Sequence, residues 1–334
     1  MAVVDRRAGG VLGHEGLLTG PADGRGGACH DAVVARPSRR SVLLGGGALL
    51  LGAGGAGVAG VRTGALPGQG WLDEALGRDD VDLAPPSGEP ATVTYRRFRS
   101  VRRRATVEWA LLVPPGTTTA RGLPVVLALH GRGQTARSAL GIVAMPQFLA
   151  AHVAGGGRPY AVAFVDGGSD GYWHPRAGGA DPLGMVVYEL LPRLADVGLR
   201  TDRVGAMGWS MGGYGALSMA RESAHGRLGP ARVTCAAAAS PALFGGPDAT
   251  SPGSFDGPDD WRRWGDLVSS PGLSGDAVHV SCGRSDPFAG QTRQYRAAVH
   301  PEPAGGLGPG AHTGGYWRTL LPGQLAWFDR RLPS

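Results

Sequence analysis

Between residues 92 and 332 the chain repeats one rhythm. Short, β-rich and mostly apolar runs alternate with segments whose apolar residues recur at helical spacing. Leu123–His130 (LPVVLALH), Tyr160–Asp166 (YAVAFVD), Val204–Gly208, Arg232–Ala238 and Ala277–Cys282 read as strands. Between them, Ala136–His152, Leu183–Val197 and Gly212–Ser223 have helical spacing; in the second, Val186, Val187, Leu190, Leu191 and Leu194 share one side. Strands buried on both faces and separated by helices predict an α/β fold with a parallel sheet and helices on both faces. Two runs ahead of this pattern, Thr92–Arg99 and Ala105–Val113, read as a strand pair, and a final helix is expected to end near Leu332.

Residues 62–91 hold Pro, Gly and acidic residues without a period and read as a linker. Before them, residues 42–61 (VLLGGGALLLGAGGAGVAGV) carry no charge and follow Ser38-Arg39-Arg40-Ser41. Paired arginines before a weakly apolar, glycine-rich stretch resemble a twin-arginine export signal. Residues 1–61 are thus expected to be a leader cleaved near Ala59, leaving residues 92–334 as the catalytic domain of a secreted or envelope protein without a stable membrane anchor. So many glycines make a poor permanent span.

Composition removes several chemistries. The 334 residues include 59 Gly and 33 Arg but no Lys and no Asn. There is no Schiff-base lysine, no P-loop lysine and no Ser–Lys dyad. The formal charge of +6 would suit a nucleic-acid partner. Much of it is local, however: Arg96, Arg97, Arg99, Arg102, Arg103 and Arg104 crowd the strand pair, where charge discourages edge-to-edge association. No nucleic-acid partner is expected, and the cluster is expected to lie far from any site at the carboxyl ends of the strands. Cys235 and Cys282 sit in apolar runs and read as two buried thiols, while Cys29 precedes the export signal. No His/Cys cluster has metal-ligand spacing and no dinucleotide fingerprint follows a strand, so neither metal nor cofactor is inferred.

The central chemical signal is Gly208-Trp209-Ser210-Met211-Gly212, a G-x-S-x-G between a strand and a helix. There a serine projects above the sheet at a helix N-terminus that favours developing negative charge. A serine nucleophile needs a base, and the base an orienting acid, in the chain order Ser, acid, His. Asp286 follows a strand in CGRSDPF and is preferred over Asp248, Asp256, Asp259, Asp260 and Asp266, which lack strand context. His312, in GAHTGGYW, is preferred over His300, which precedes a proline. The amide of Met211 and that of Arg132, in the glycine-rich loop after His130, are the expected oxyanion donors, with Gly133 as the alternative to Arg132. Tyr172 and Trp173, on the loop after the strand ending at Asp166, are candidates for a substrate-pocket wall. The Pro/Gly-rich stretch Ser240–Gly275 reads as a small cap with few apolar anchors over an open site.

These segments, LHGRGQTA, GWSMGGYGAL, CGRSDPF and GAHTGGYW, together resemble secreted esterases of the α/β-hydrolase type from about Thr92 to Leu332. That group includes carboxylesterases, feruloyl esterases, polyhydroxybutyrate depolymerases and, more distantly, mycolyltransferases. The resemblance implies an α/β-hydrolase fold and ester hydrolysis through an acyl-enzyme on a small-molecule or polymeric ester. Acyl transfer to a sugar or lipid alcohol uses the same triad, and a non-catalytic envelope-binding protein is a third reading. The group also has a strand just before its histidine; here that region is broken by prolines and followed by a glycine-rich run, Gly305–Gly310, read as a loop.

Overall fold

The computed structural model describes residues 81–117 and 119–333. The leader, Arg39 and Arg40, Cys29 and most of the expected linker lie outside these residues. Residues 81–91, the end of that linker, form no regular structure but are fastened to the domain: Asp82 pairs with Arg318, and Ala91 is buried.

Eight strands form one sheet in the order β1-β2-β4-β3-β5-β6-β7-β8. They are β1 (Thr92–Ser100), β2 (Ala105–Val113), β3 (Pro124–Leu129), β4 (Ala161–Val165), β5 (Arg200–Trp209), β6 (Arg232–Ala239), β7 (Val278–Gly283) and β8 (Ala304–Gly308). From β4 to β8 every pairing is parallel, while β1 and β2 form an antiparallel hairpin whose second strand runs antiparallel to β4. Alternate residues of each central strand feed two cores. Val125, Leu127 and Leu129 join one apolar cluster, Val126 and Ala128 the other. That is why β3 and β4 show no polar positions in the sequence.

Helices α1 (Ala136–Ile142), α2 (Met145–Ala154) and α8 (Gly314–Asp329) cover one face. The other face is covered by α3 (Pro182–Met185), α4 (Leu191–Asp196), α5 (Met211–Ala224) and α7 (Ala289–Ala298). The short α6 (Pro258–Asp260) lies in the cap. Two expected helices are interrupted, each at a proline. The path between α1 and α2 turns through Ala144 at φ 50°, because the Pro146 ring cannot follow the carbonyl of Ile142 in a continuous helix. That carbonyl instead accepts a bond from Arg318. Between α3 and α4 the chain widens into a π-turn at Val186–Leu190, two residues before Pro192, which has no N–H to donate.

Two expectations are corrected at the sheet edges. The run 305–310 is not wholly loop: β8 is built from AGGLG and pairs in register with β7 from His279↔Ala304 to Gly283↔Gly308. A Cβ at Gly305 would collide with Ser281 and the Val280 carbonyl, so only glycine lets this strand approach. The arginine-rich hairpin is not remote from the carboxyl ends. Trp109 of β2 pairs with Val165, the last residue of β4, so the turn Val101–Arg104 projects beyond that end by roughly 13 Å, at about 3.3 Å per residue. There Arg102 pairs with Asp181 at 2.8 Å, Arg104 donates to the Gly178 carbonyl, and the Arg103 guanidinium packs on Gly168 beside Asp166 and Asp170.

Candidate active site

Ser210 stands between β5 and α5 with φ 56° and ψ −126°, a left-handed conformation that costs a non-glycine residue free energy and aims its side chain off the sheet. The surrounding sequence permits this turn. A Cβ at Gly212 would run into the Leu129 carbonyl, and one at Gly208 into Gly212. The Ser210 amide donates to the Ala239 carbonyl at 3.0 Å, and its own carbonyl accepts from Tyr214 and Ala242 at 3.0 Å. The strained residue is therefore held from three sides.

The structure brings Ser210, His312 and Asp286 together from three loops at the carboxyl edge. His312 Nε2 lies 2.9 Å from Ser210 Oγ, and His312 Nδ1 lies 2.8 Å from Asp286 Oδ2. An ionised carboxylate only accepts, so Nδ1 carries the proton and Nε2 is free to accept the serine hydroxyl. Asp286 follows β7 with a fully buried carboxyl group, and its Oδ1 accepts the Phe288 amide at 2.9 Å. The imidazole is flanked edge-to-face by Phe288 and Trp317, with centroids at 5.4 and 5.2 Å. His300 lies at the far end of α7.

Two backbone amides remain for an oxyanion. Met211 opens α5, so its N–H has no carbonyl one turn back. In the loop after β3 the Gly133 amide is spent on the Ser169 carbonyl at 2.7 Å. Arg132, between Gly131 and Gly133, keeps its amide free of any hydrogen-bond partner among the described residues. Its guanidinium reaches the Pro252 carbonyl in the cap at 2.7 Å.

Tyr172 and Trp173, the candidates for a pocket wall, are both buried, with φ of 44° and 53°. Tyr172 packs among Tyr214, Phe244 and Phe255, and Trp173 donates its indole N–H to the His130 carbonyl. His130 and Gln134 are supports for which no role was read in the sequence. His130 donates from Nδ1 to Gly131 O at 2.8 Å and accepts the Gly167 amide at Nε2, 3.0 Å away; burial lowers its pKa and keeps it neutral. Gln134 Oε1 accepts the Gly131 amide and the Trp209 indole N–H, each at 3.0 Å. A polar residue closing a glycine-rich strand exit was the available signal for Gln134.

The cap is more firmly seated than its composition suggests. Phe244 and Leu267 are buried, with Phe255 and Trp264 packed beside them. Arg176 grips Asp256 at 2.8 Å, and buried Arg221 donates to the carbonyls of Arg263, Trp264 and Asp266. His174, fully buried, lies between Phe255 and Trp264. Cys235 and Cys282 are buried free thiols, and burial pushes Cys235 up to about 11. Among the described residues no three His, Cys, Asp or Glu side chains converge as a metal site, and no helix there is long and apolar enough to cross a membrane.

No protein-family model and no curated protein matches the sequence. Solved structures do match. A ferulic acid esterase superposes with a TM-score of 0.60 at 18% identity, over 73% of this chain and 99% of its own. An S-formylglutathione hydrolase from Agrobacterium tumefaciens gives 0.59 at 16% identity, over 76% and 100%. A fluorophosphonate-binding serine hydrolase of Staphylococcus aureus gives 0.53 at 15%, over 72% and 99%. With its mostly parallel eight-stranded sheet, helices on both faces and serine turn after β5, the chain has the α/β-hydrolase fold.

Proposed function

We propose that this protein is an exported serine hydrolase of carboxylic esters. One observation carries the reading: Ser210 Oγ, His312 and Asp286 form a continuous hydrogen-bonded relay at 2.9 and 2.8 Å, with the serine on a strained strand-to-helix turn. In this reading His312 Nε2 takes the hydroxyl proton as Ser210 attacks the ester carbonyl. The Met211 and Arg132 amides receive the negative charge on the carbonyl oxygen. Asp286 holds the imidazole tautomer and balances the imidazolium. His312 then returns the proton to the departing alcohol, leaving an acyl group on Ser210. Water, deprotonated by the same histidine, releases the acid. The names of the similar structures, esterases and a fluorophosphonate-binding hydrolase, support this class.

A fluorophosphonate probe should label the protein and fail to label Ser210→Ala. Turnover of short p-nitrophenyl esters should fall in parallel, and labelling that survives the substitution would refute the assignment. Product analysis with and without added alcohols separates hydrolysis from acyl transfer. Export rests on Arg39 and Arg40 before the glycine-rich apolar run. Replacing both by Lys should leave precursor inside the cell, and normal export of that variant would remove the twin-arginine reading.

A further inference from the structure

The two proposed oxyanion amides belong to different segments. Arg132 lies in the loop after β3, Met211 at the start of α5. A tetrahedral oxygen is stabilised only if both amides point at one spot, so something must fix the two segments against each other. The β3–β5 pairing ends at Leu129↔Gly208, short of both amides. Beyond it, one side chain hydrogen-bonds to both segments. Gln134 Oε1 accepts the Gly131 amide, one residue before Arg132, and the Trp209 indole N–H, two residues before Met211. Trp173 also meets both, through the His130 carbonyl and by packing on Gly215, but farther from the two amides. The remaining backbone bonds hold each segment separately. The Gly133 amide bonds outward to Ser169, the Ser210 amide to Ala239, and the Gln134 amide closes the local turn onto the Gly131 carbonyl. Trp209 itself is buried and rigid, tilted against Phe164 and stacked on Trp317. It offers the loop a fixed donor.

We infer that Gln134 is a positioning residue that sets the spacing of the oxyanion donors, by gathering the β3 loop and the serine turn onto one carbonyl oxygen. The inference rests on the ester-hydrolase reading above. Gln134 does not touch substrate. It acts through Arg132 and Met211, so its loss weakens an interaction made only in the transition state. Such a loss lowers kcat and leaves KM nearly unchanged.

The test uses Gln134→Met, which keeps the length of the side chain and removes the acceptor, together with Trp209→Phe and the double variant. Gln134→Met is expected to lower kcat by about 10²-fold, as for a displaced catalytic geometry, with KM within about twofold of the parent. Affinity for a trifluoromethyl ketone, whose adduct with the serine places an oxyanion between the two amides, should weaken by the same factor as kcat. A mere packing defect would lower the melting temperature without that parallel. Trp209→Phe removes one N–H and should lower kcat by roughly tenfold. Added to Gln134→Met it should cost no more than about threefold further, because the shared interaction is already gone. A Gln134→Met variant that folds and keeps kcat within about threefold overturns the inference, as does a loss confined to KM. If that variant does not fold, Trp209→Phe decides: full kcat overturns the inference. Ser210→Ala separates the two levels. Turnover that persists in it removes the ester-hydrolase reading and this inference together, whereas an inactive Ser210→Ala beside a fully active Gln134→Met removes this inference alone.

Discussion

Three residues of the candidate site were legible because their neighbours announce them. Ser210 lies between glycines that only a tight turn requires, Asp286 follows an apolar strand, and His312 comes last in the expected order, although the strand before it reads as a loop. The geometry brings all three together. The role of Asp286 is open to one substitution. Asp286→Asn keeps the size of the side chain but offers an amide that favours the wrong imidazole tautomer. If Asp286 orients His312, kcat should fall roughly 10⁴-fold, about 5 kcal/mol in the barrier. If the carboxylate merely accepts the Phe288 amide, the cost is about 1 kcal/mol of stability and little rate. Steady-state kinetics on the folded variant choose between these. The burial of Tyr172 and Trp173 was not legible at the residue scale. Chemical type says that an aromatic residue can line a pocket or pack beneath a loop, and two consecutive left-handed residues leave no mark on hydrophobic patterning.

Secondary-structure elements were legible where burial is uniform and obscure where glycine replaces side chains. β3 and β4 show as unbroken apolar runs. β8 does not, because AGGLG has almost no side chain to report burial. The cap was underestimated because its anchors are mostly ionic and backbone contacts that cross the fold. Chief among them is Glu222 near the end of α5. It is buried and receives Arg221, Arg227 and, from the cap, Arg263. Burial opposes its ionisation, but hydrogen bonds from Arg227 and Arg263 and the charge of Arg221 prevail and hold its pKa at about 2. A carboxyl whose folded pKa lies below its unfolded value stabilises the fold above the unfolded pKa and loses that contribution as pH falls. Glu222→Gln should therefore lower stability by about 3 kcal/mol at neutral pH. The difference from the parent should shrink between roughly pH 4.5 and 2. Thermal melts across that range measure it; a deficit independent of pH would mean the cluster contributes by shape alone.

At the scale of the whole molecule, the α/β architecture followed from periodicity, but the order of strands did not. Nothing in the sequence shows that β2 inserts antiparallel beside β4. That one pairing carries the arginine-rich turn to the edge that holds Ser210, against the expectation that it lies far away. Charge density was visible in the sequence; its address depended on a long-range contact. Another long-range contact gives the protein a built-in optical reporter. Trp317 stacks on Trp209 at 5.8 Å and meets the His312 ring edge-on at 5.2 Å. The intrinsic emission of this chain is shared among eight tryptophans, and among the described residues Trp317 is the one whose ring meets the His312 imidazole. A fluorophosphonate placed on Ser210 displaces the hydroxyl that His312 faces, so emission should change on labelling, and Trp317→Phe should remove most of that change. A change of full size in Trp317→Phe would trace to another tryptophan. The state of the relay can then be followed by fluorescence before any turnover is measured.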